Sequence, residues 1–172
     1  CYDGQNFHST THHEGESGVQ SNLYTGTGLS SAQIEADFEG AWKLMNGYKT
    51  DKGDPWVREN PDLVIVAGPA AYLALRKKFL NPTTDGGGKN PYYGLVSDVE
   101  LDMGMTGNSW YLEDRAPRLK SYVVQEREPV TPRHTDVTSD SYVLGDYLLY
   151  TAKWRGNAGY GQWRHSVKIK NS

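Results

Sequence analysis

The stretch Leu63-Val64-Ile65-Val66-Ala67-Gly68-Pro69 decides the fold class. Five apolar residues follow one another without alternation, the pattern of a strand buried on both faces or at least central in its sheet. Gly68-Pro69 ends the strand and opens a helix, with Pro69 near the first helical position, where its missing N–H is no loss. Tyr72, Leu75 and Phe79 form the buried stripe of that helix. Arg76, Lys77 and Lys78 favour its C-terminal end, and Asn81-Pro82 stops it.

Upstream, residues 30–46 read as a second helix. Ser30 and Gln33 complete a capping box, and Leu29 with Ile34 takes the staple positions. Ile34, Phe38, Ala41, Trp42 and Met45 are expected on the buried face, with Glu35, Asp37 and Glu39 toward water. Asn46-Gly47 supplies a left-handed stop. Residues 48–62 are a turn-rich connection, and residues 1–29, without period, an ordered loop or an arm.

Downstream, residues 81–94, with Gly86-Gly87-Gly88 between two Asn-Pro pairs, form a flexible loop. Val99, Leu101 and Met103 alternate with Asp98, Glu100 and Asp102, as in a strand with one wet face. Residues 109–113 and 119–126 predict two more strands, and 127–140, with Pro129 and Pro132, a loop. Residues 142–154 and 162–169 predict two long strands joined by a tight glycine turn at 156–161. No internal repeat is present.

The 172 residues amount to about one domain of ordinary size. A single cysteine, Cys1, excludes an internal disulfide and a cysteine-rich zinc site. Eighteen basic against twenty-one acidic residues, a net charge of −3, argue against a general nucleic-acid binder. The longest apolar run, 63–75, is short of the roughly 20 residues of a membrane span and is broken by Gly68-Pro69. Twelve Tyr and five Trp but only three Phe suit surfaces half buried or covered by partners. No charged-then-apolar leader stands at Cys1, and the start looks like a cut edge.

Several groups invite chemistry. His8, His12, His13 and Glu14 include zinc-type ligands, but without HExxH or helical spacing they read better as loop histidines, with His8 a hydrogen-bonding residue beside Phe7. Asp98, Glu100 and Asp102 share a strand face and read as a solvated face or one met by a neighbouring Lys or Arg rather than a cation site. The adjacent Glu113 and Asp114 resemble a general acid/base pair with nothing to place a third group beside them. Gly86-Gly87-Gly88-Lys89 has the wrong spacing for a phosphate loop. No catalytic residue, cofactor-binding residue or metal ligand is assigned.

Trp154-Arg155-Gly156-Asn157-Ala158-Gly159-Tyr160-Gly161-Gln162-Trp163 resembles the closing segment of phage Mu-type major head subunits. In the same order as in that family come Tyr2-Asp3-Gly4-Gln5-Asn6-Phe7-His8-Ser9 with His12, the 63–69 strand-then-helix unit, Trp110-Tyr111-Leu112, and Lys120 to Arg127, so that the resemblance spans nearly the whole chain. It implies an α+β Hong Kong 97-type capsid fold with a mixed sheet and two main helices: an axial domain over 25–140 plus part of a peripheral domain over 1–24 and 141–172. The chain begins where the family's second half begins, so the N-terminal arm, the extended loop and the spine helix are expected to be missing.

The implied function is that of a structural capsid protein of a tailed phage, prophage or phage-derived particle. It would self-assemble as pentamers and hexamers into an icosahedral or prolate shell around DNA, with no enzymatic activity, cofactor or membrane. Scaffold, protease and portal proteins are the implied partners. The implied locations are the virion and, during assembly, the host bacterial cytoplasm. A mild negative charge suits a shell that encloses DNA without gripping its phosphates. Two other classes stay open at this point: a zinc-dependent hydrolase using His8, His12 and Glu14, and a monomeric carbohydrate-binding module using surface Trp and Tyr.

Overall fold

The computed structural model describes residues 1–58 and 60–171. They form two compact units, one made of residues 1–121 with 160–172 and one of residues 122–159.

The first unit is built on β2 (Leu63–Ala67), the apolar run, buried at four of its five residues. A five-stranded mixed sheet surrounds it in the order β1 (Leu23–Thr25), β7 (Ser166–Lys170), β4 (Trp110–Asp114), β2, β3 (Asp98–Leu101). The two outer pairs, β1 with β7 and β2 with β3, are parallel, and the two inner ones are antiparallel. Register aligns Val99, Ile65, Leu112 and Val167 across the sheet, and Ala67, Trp110 and Ile169 beside them. All are buried and all belong to one apolar cluster. Two helices complete it, α1 (Ser31–Asn46) over β7 and β1, and α2 (Pro69–Leu80) over β3 and β2. Phe38 of α1 meets Phe79 of α2 at 4.8 Å between ring centres. Each such large side chain contributes about 1.5–3 kcal/mol on burial.

Helix α1 has the expected capping box: the Ser30 hydroxyl accepts from the Gln33 N–H and the Gln33 side chain from the Ser30 N–H. Ile34, Phe38, Ala41 and Met45 are buried, but two expectations for this helix are overturned. Trp42 is 46% exposed, and Asp37 is fully buried. At 3.6 residues per turn, Trp42 stands about 80° from Ile34 round the helix and Asp37 about 60° on the other side. Both flank the stripe, and a distant partner selects between them: the Thr27 N–H and hydroxyl donate to the Asp37 carboxylate at 2.9–3.0 Å. The stop is also different, since Gly47 has φ −92° and caps by donating to the Lys43 and Leu44 carbonyls. In α2, Ala71, Leu75 and Phe79 are buried, with Tyr72 only half-buried.

Strand β3 ends at Leu101, and Leu101 and Met103 are both exposed, so the expected apolar face shrinks to Val99. Segment 1–22 is ordered, with a bridge between His12 and Gln20. None of the three helices is long and apolar enough to cross a membrane among the described residues.

The second unit departs most from expectation. β5 (Tyr122–His134) runs straight through Pro129 and Pro132, where a loop was expected from 127 on. Each strand of a two-stranded sheet has an open side, where a missing N–H breaks no ladder bond, and in a regular strand only one of two prolines spaced by three can face it. A short helix, α3 (Asp140–Gly145), stands where a strand was expected, and β6 (Tyr150–Tyr160) pairs with β5. Residues 156–160 of the expected turn lie in β6, and neither Gly156 nor Gly159 has positive φ. Gly156 serves another purpose: a Cβ there would stand 2.3 Å from the Trp154 indole, which folds over it. The expected long strand at 162–169 is a single 3₁₀ turn at Trp163–His165 followed by β7, in the first unit.

Candidate functional site

His8, His12 and Glu14 all lie in segment 1–22, and the structure joins that segment to residues 162–168 within the first unit. Asn22, fully buried, is the hub. Its amide donates to the carbonyls of Phe7 (2.7 Å) and Trp163 (3.3 Å), and its oxygen accepts from the Ser9 N–H. His12 is also fully buried, with Nδ1 2.5 Å from Asp3 Oδ2 and Nε2 3.0 Å from the Asn22 oxygen. Its ring lies parallel to the Trp163 indole at 4.1 Å. Both ring nitrogens therefore already face oxygen partners, and a metal would have to displace one of them.

Glu14 is held elsewhere. Arg164 Nη2 donates to Glu14 Oε2 at 2.6 Å and Trp163 Nε1 to Oε1 at 3.4 Å. The Arg164 guanidinium also lies over the Trp163 and Trp56 rings, at 4.6 and 5.0 Å. His8 points to a third place, with Nε2 3.0 Å from Ser166 Oγ and its ring against Phe7 and Tyr111. The three candidate ligands are thus spread over three sets of partners. Among the described residues no group of three or more His, Cys, Asp or Glu gathers as metal ligands would.

The electrostatics follow the geometry. Burial alone would raise the Asp3 and Glu14 carboxyls, but hydrogen bonds from His12 to Asp3, and from Tyr2 and Arg164 to Glu14, hold both below the usual range. Burial and the neighbouring Glu14 push the Tyr2 phenol up to about 12. Burial, then the charges of Lys168 and His12, lowers His8 to about 4.

The other acidic candidates are also engaged. Arg115 takes Glu100 with both guanidinium arms, at 2.5 and 2.8 Å, so this strand face is met by a neighbouring arginine. Glu113 and Asp114 point to opposite faces of β4, as adjacent strand residues must. Glu113 lies 3.5 Å from Arg115 and its carboxyl is raised by burial, while Asp114 accepts from Arg58 and from the N–H groups of Asp62 and Ala116. Gly86-Gly87-Gly88-Lys89 forms a small turn closed by a bridge between Thr83 and Lys89, not a strand–loop–helix cradle. Sequence reasoning missed Asp3, Asn22 and Arg164, whose roles depend on residues up to 162 positions away.

The most exposed stretch of the chain is residues 122–159. No residue of 122–159 is buried. Val124, Val143, Leu144 and Tyr150 are 70–87% exposed. Within the unit, Trp154 Nε1 donates to Glu126, Lys153 pairs with Glu128 at 3.1 Å, and the Thr135 N–H donates to the Leu149 carbonyl beyond α3. An isolated two-stranded sheet is marginal in water and needs a further surface to rest on.

Comparison with known proteins gives this surface a context. Residues 96–172 match the family described as Mu-like prophage major head subunit gpT. The Mu-like prophage FluMu major head subunit of Haemophilus influenzae (strain ATCC 51907 / DSM 11121 / KW20 / Rd) is 39% identical over 80 residues, 44% of this chain and 26% of that protein. The chain thus matches about a quarter of the length of that relative. The family match covers β3 onward, including the 154–163 block and the 110–112 and 120–127 pieces, whereas the 2–12 and 63–69 pieces lie outside it. Among solved structures, the virus-like particle from Pyrococcus furiosus superposes with a TM-score of 0.54 at 10% identity, over 86% of this chain and 55% of that one. This likeness shows the capsid-type α+β fold implied by the sequence resemblance.

Proposed function

We propose that this chain is part of a major capsid subunit of a tailed phage, a prophage or a phage-derived particle. Its task is to assemble with copies of itself into an icosahedral or prolate shell around DNA. The observation that carries this reading is the match of residues 96–172 to the head-subunit family, which runs from β3 through the whole uncovered second unit to the end of the chain. Two physical features support it. The residues that looked catalytic are engaged in internal polar contacts, and an ordered segment with no core of its own is what a subunit needs where a neighbour completes it.

In this reading the protein is structural and not an enzyme. It works in the virion after assembly in the bacterial cytoplasm, with scaffold, protease and portal proteins as assembly partners. Residues 25–140 belong to an axial domain, and residues 1–24 with 141–172 to a peripheral one. DNA is enclosed without sequence-specific contact. The test is expression of the full-length subunit, followed by light scattering and negative-stain microscopy. Closed shells are expected. A folded protein that stays monomeric at every salt and crowding condition, and with its co-expressed neighbours, would refute the proposal.

A further inference from the structure

We propose that a cavity in the first unit, between residues 56–58, the end of β4 and the 3₁₀ turn, binds a carboxylate group, carried by a small free acid or by an acidic side chain of another polypeptide. The cavity measures about 280 Å³, and Trp56, Arg58, Asp114, Pro117 and His165 are among its walls. That is less than the roughly 300–1,000 Å³ of sites for drug-sized ligands, so the occupant is a single small group.

Two of these side chains hold nitrogens with no partner. Arg58, its side chain 4% exposed, donates through Nη1 to Asp114 at 3.1 Å and through Nη2 to Asn46 at 2.9 Å, but its Nε has no hydrogen-bond partner. His165, also 4% exposed, has none at Nδ1. Asp114 cannot answer them, because its Oδ1 already accepts from the Asp62 and Ala116 N–H groups and its Oδ2 from Arg58. Folded proteins rarely leave buried donors unanswered, and two such nitrogens on the walls of one cavity mark a place that receives an acceptor.

The surrounding charge selects an anion. Arg58, Arg164 and Lys120 act on His165 against the single carboxylate of Asp114. Glu14 offsets Arg164 through its ion pair, so among these groups one positive charge is left over. Burial, and then the cations, hold the His165 imidazole neutral, and with its proton on Nδ1 it is a second donor that adds no charge. Two N–H donors and one excess charge match the two oxygens and single charge of a carboxylate. The Trp56 indole, its ring centre 5.9 Å from that of His165, and Pro117 give its short stem an apolar wall.

The test titrates the unassembled full-length subunit, labelled with ¹⁵N in tryptophan and histidine, with sodium acetate at neutral pH, balanced by sodium chloride to constant ionic strength. Saturable shifts are expected at the Trp56 indole N–H and the His165 ring nitrogens, with Trp110, which does not line the cavity, unmoved. Arg58→Lys keeps the charge and removes Nε, and His165→Phe keeps a ring and removes both nitrogens. Each is expected to weaken acetate binding about tenfold, the loss of one hydrogen bond to a charged group. On the parent protein, methylammonium is expected to shift neither residue. No saturable shift with acetate, the same shifts with methylammonium, or unchanged affinity in both variants would overturn the proposal. Saturation transfer from intact particles to acetate, lost in Arg58→Lys, would assign the site to a free acid. Its absence in particles, with binding in the unassembled subunit, would assign it to an acidic side chain of a neighbour. A subunit that binds acetate but never assembles keeps this site and refutes the capsid reading alone.

Discussion

Residues 1–121 with 160–172 bury Ile65, Trp110, Leu112 and Trp163 completely, whereas residues 122–159, richer in Tyr, Val and Leu, bury nothing. In the first unit every strand has neighbours and one sheet face is covered by α1 and α2. In the second, two strands lie side by side with apolar side chains in water. Apolar content therefore does not say where a core will be. A core forms where the chain closes layers upon itself, and apolar residues outside it mark surfaces waiting for a partner.

The contrast can be broken most severely at Trp163, which stacks on His12, meets Tyr48 edge-on and carries Arg164 over its ring. Trp163→Ala is expected to cost about 3–5 kcal/mol, read by chemical denaturation, because it empties a buried site and removes the ring on which His12 and Arg164 rest. Asp114→Ala leaves Arg58, whose side chain is 4% exposed, without its carboxylate, and a loss of about 3 kcal/mol is expected from the uncompensated charge. Asp114→Asn should recover part of that loss, and equal loss in both would show that packing rather than charge is at stake.

A pH series sharpens the contrast further. His8 is lowered to about 4 in the folded protein, chiefly by burial, so between about 6.5 and 4 the unfolded chain binds a proton that the native one does not. Stability is therefore complete above the unfolded value and declines as pH falls through that window. The lowered carboxyls of Asp3 and Glu14 add a decline of the same sign at more acidic pH, lost as pH falls through their folded values. His8→Gln should shrink the decline in the upper window, leaving the part due to His165, which burial also lowers, and keep the lower one in place. An unchanged melting profile between pH 6.5 and 4 would remove His8 from the account.

The smallest folding effects are expected in the second unit. Val124→Ser and Leu144→Ser, at positions 72% and 87% exposed, should move the stability of the chain by less than about 0.5 kcal/mol. The same variants should lower the yield of particles, measured by sedimentation. A loss of stability comparable to Trp163→Ala would mean that residues 122–159 have a core after all.

Elements whose signals are local were legible from the residues alone. The α1 cap lies within four residues, Ser30 to Gln33; the β2 run and the Gly68-Pro69 start of α2 are contiguous. Hydrogen bonds and steric preferences over such spans do not depend on the rest of the fold. The tertiary structure alone decided everything that needed a distant partner. Thr27 drew Asp37 inward while Trp42 stayed half in water, and the pairing of β5 with β6 carried the chain through Pro129 and Pro132 and straightened the glycine block. The site was legible to the same limited degree. His8, His12 and Glu14 stood out by residue type, but their employment was settled by Asp3, Asn22, Arg164 and Ser166. A side chain's chemistry is written at its own position, and what that chemistry is used for depends on which groups the closed chain places within about 3 Å of it.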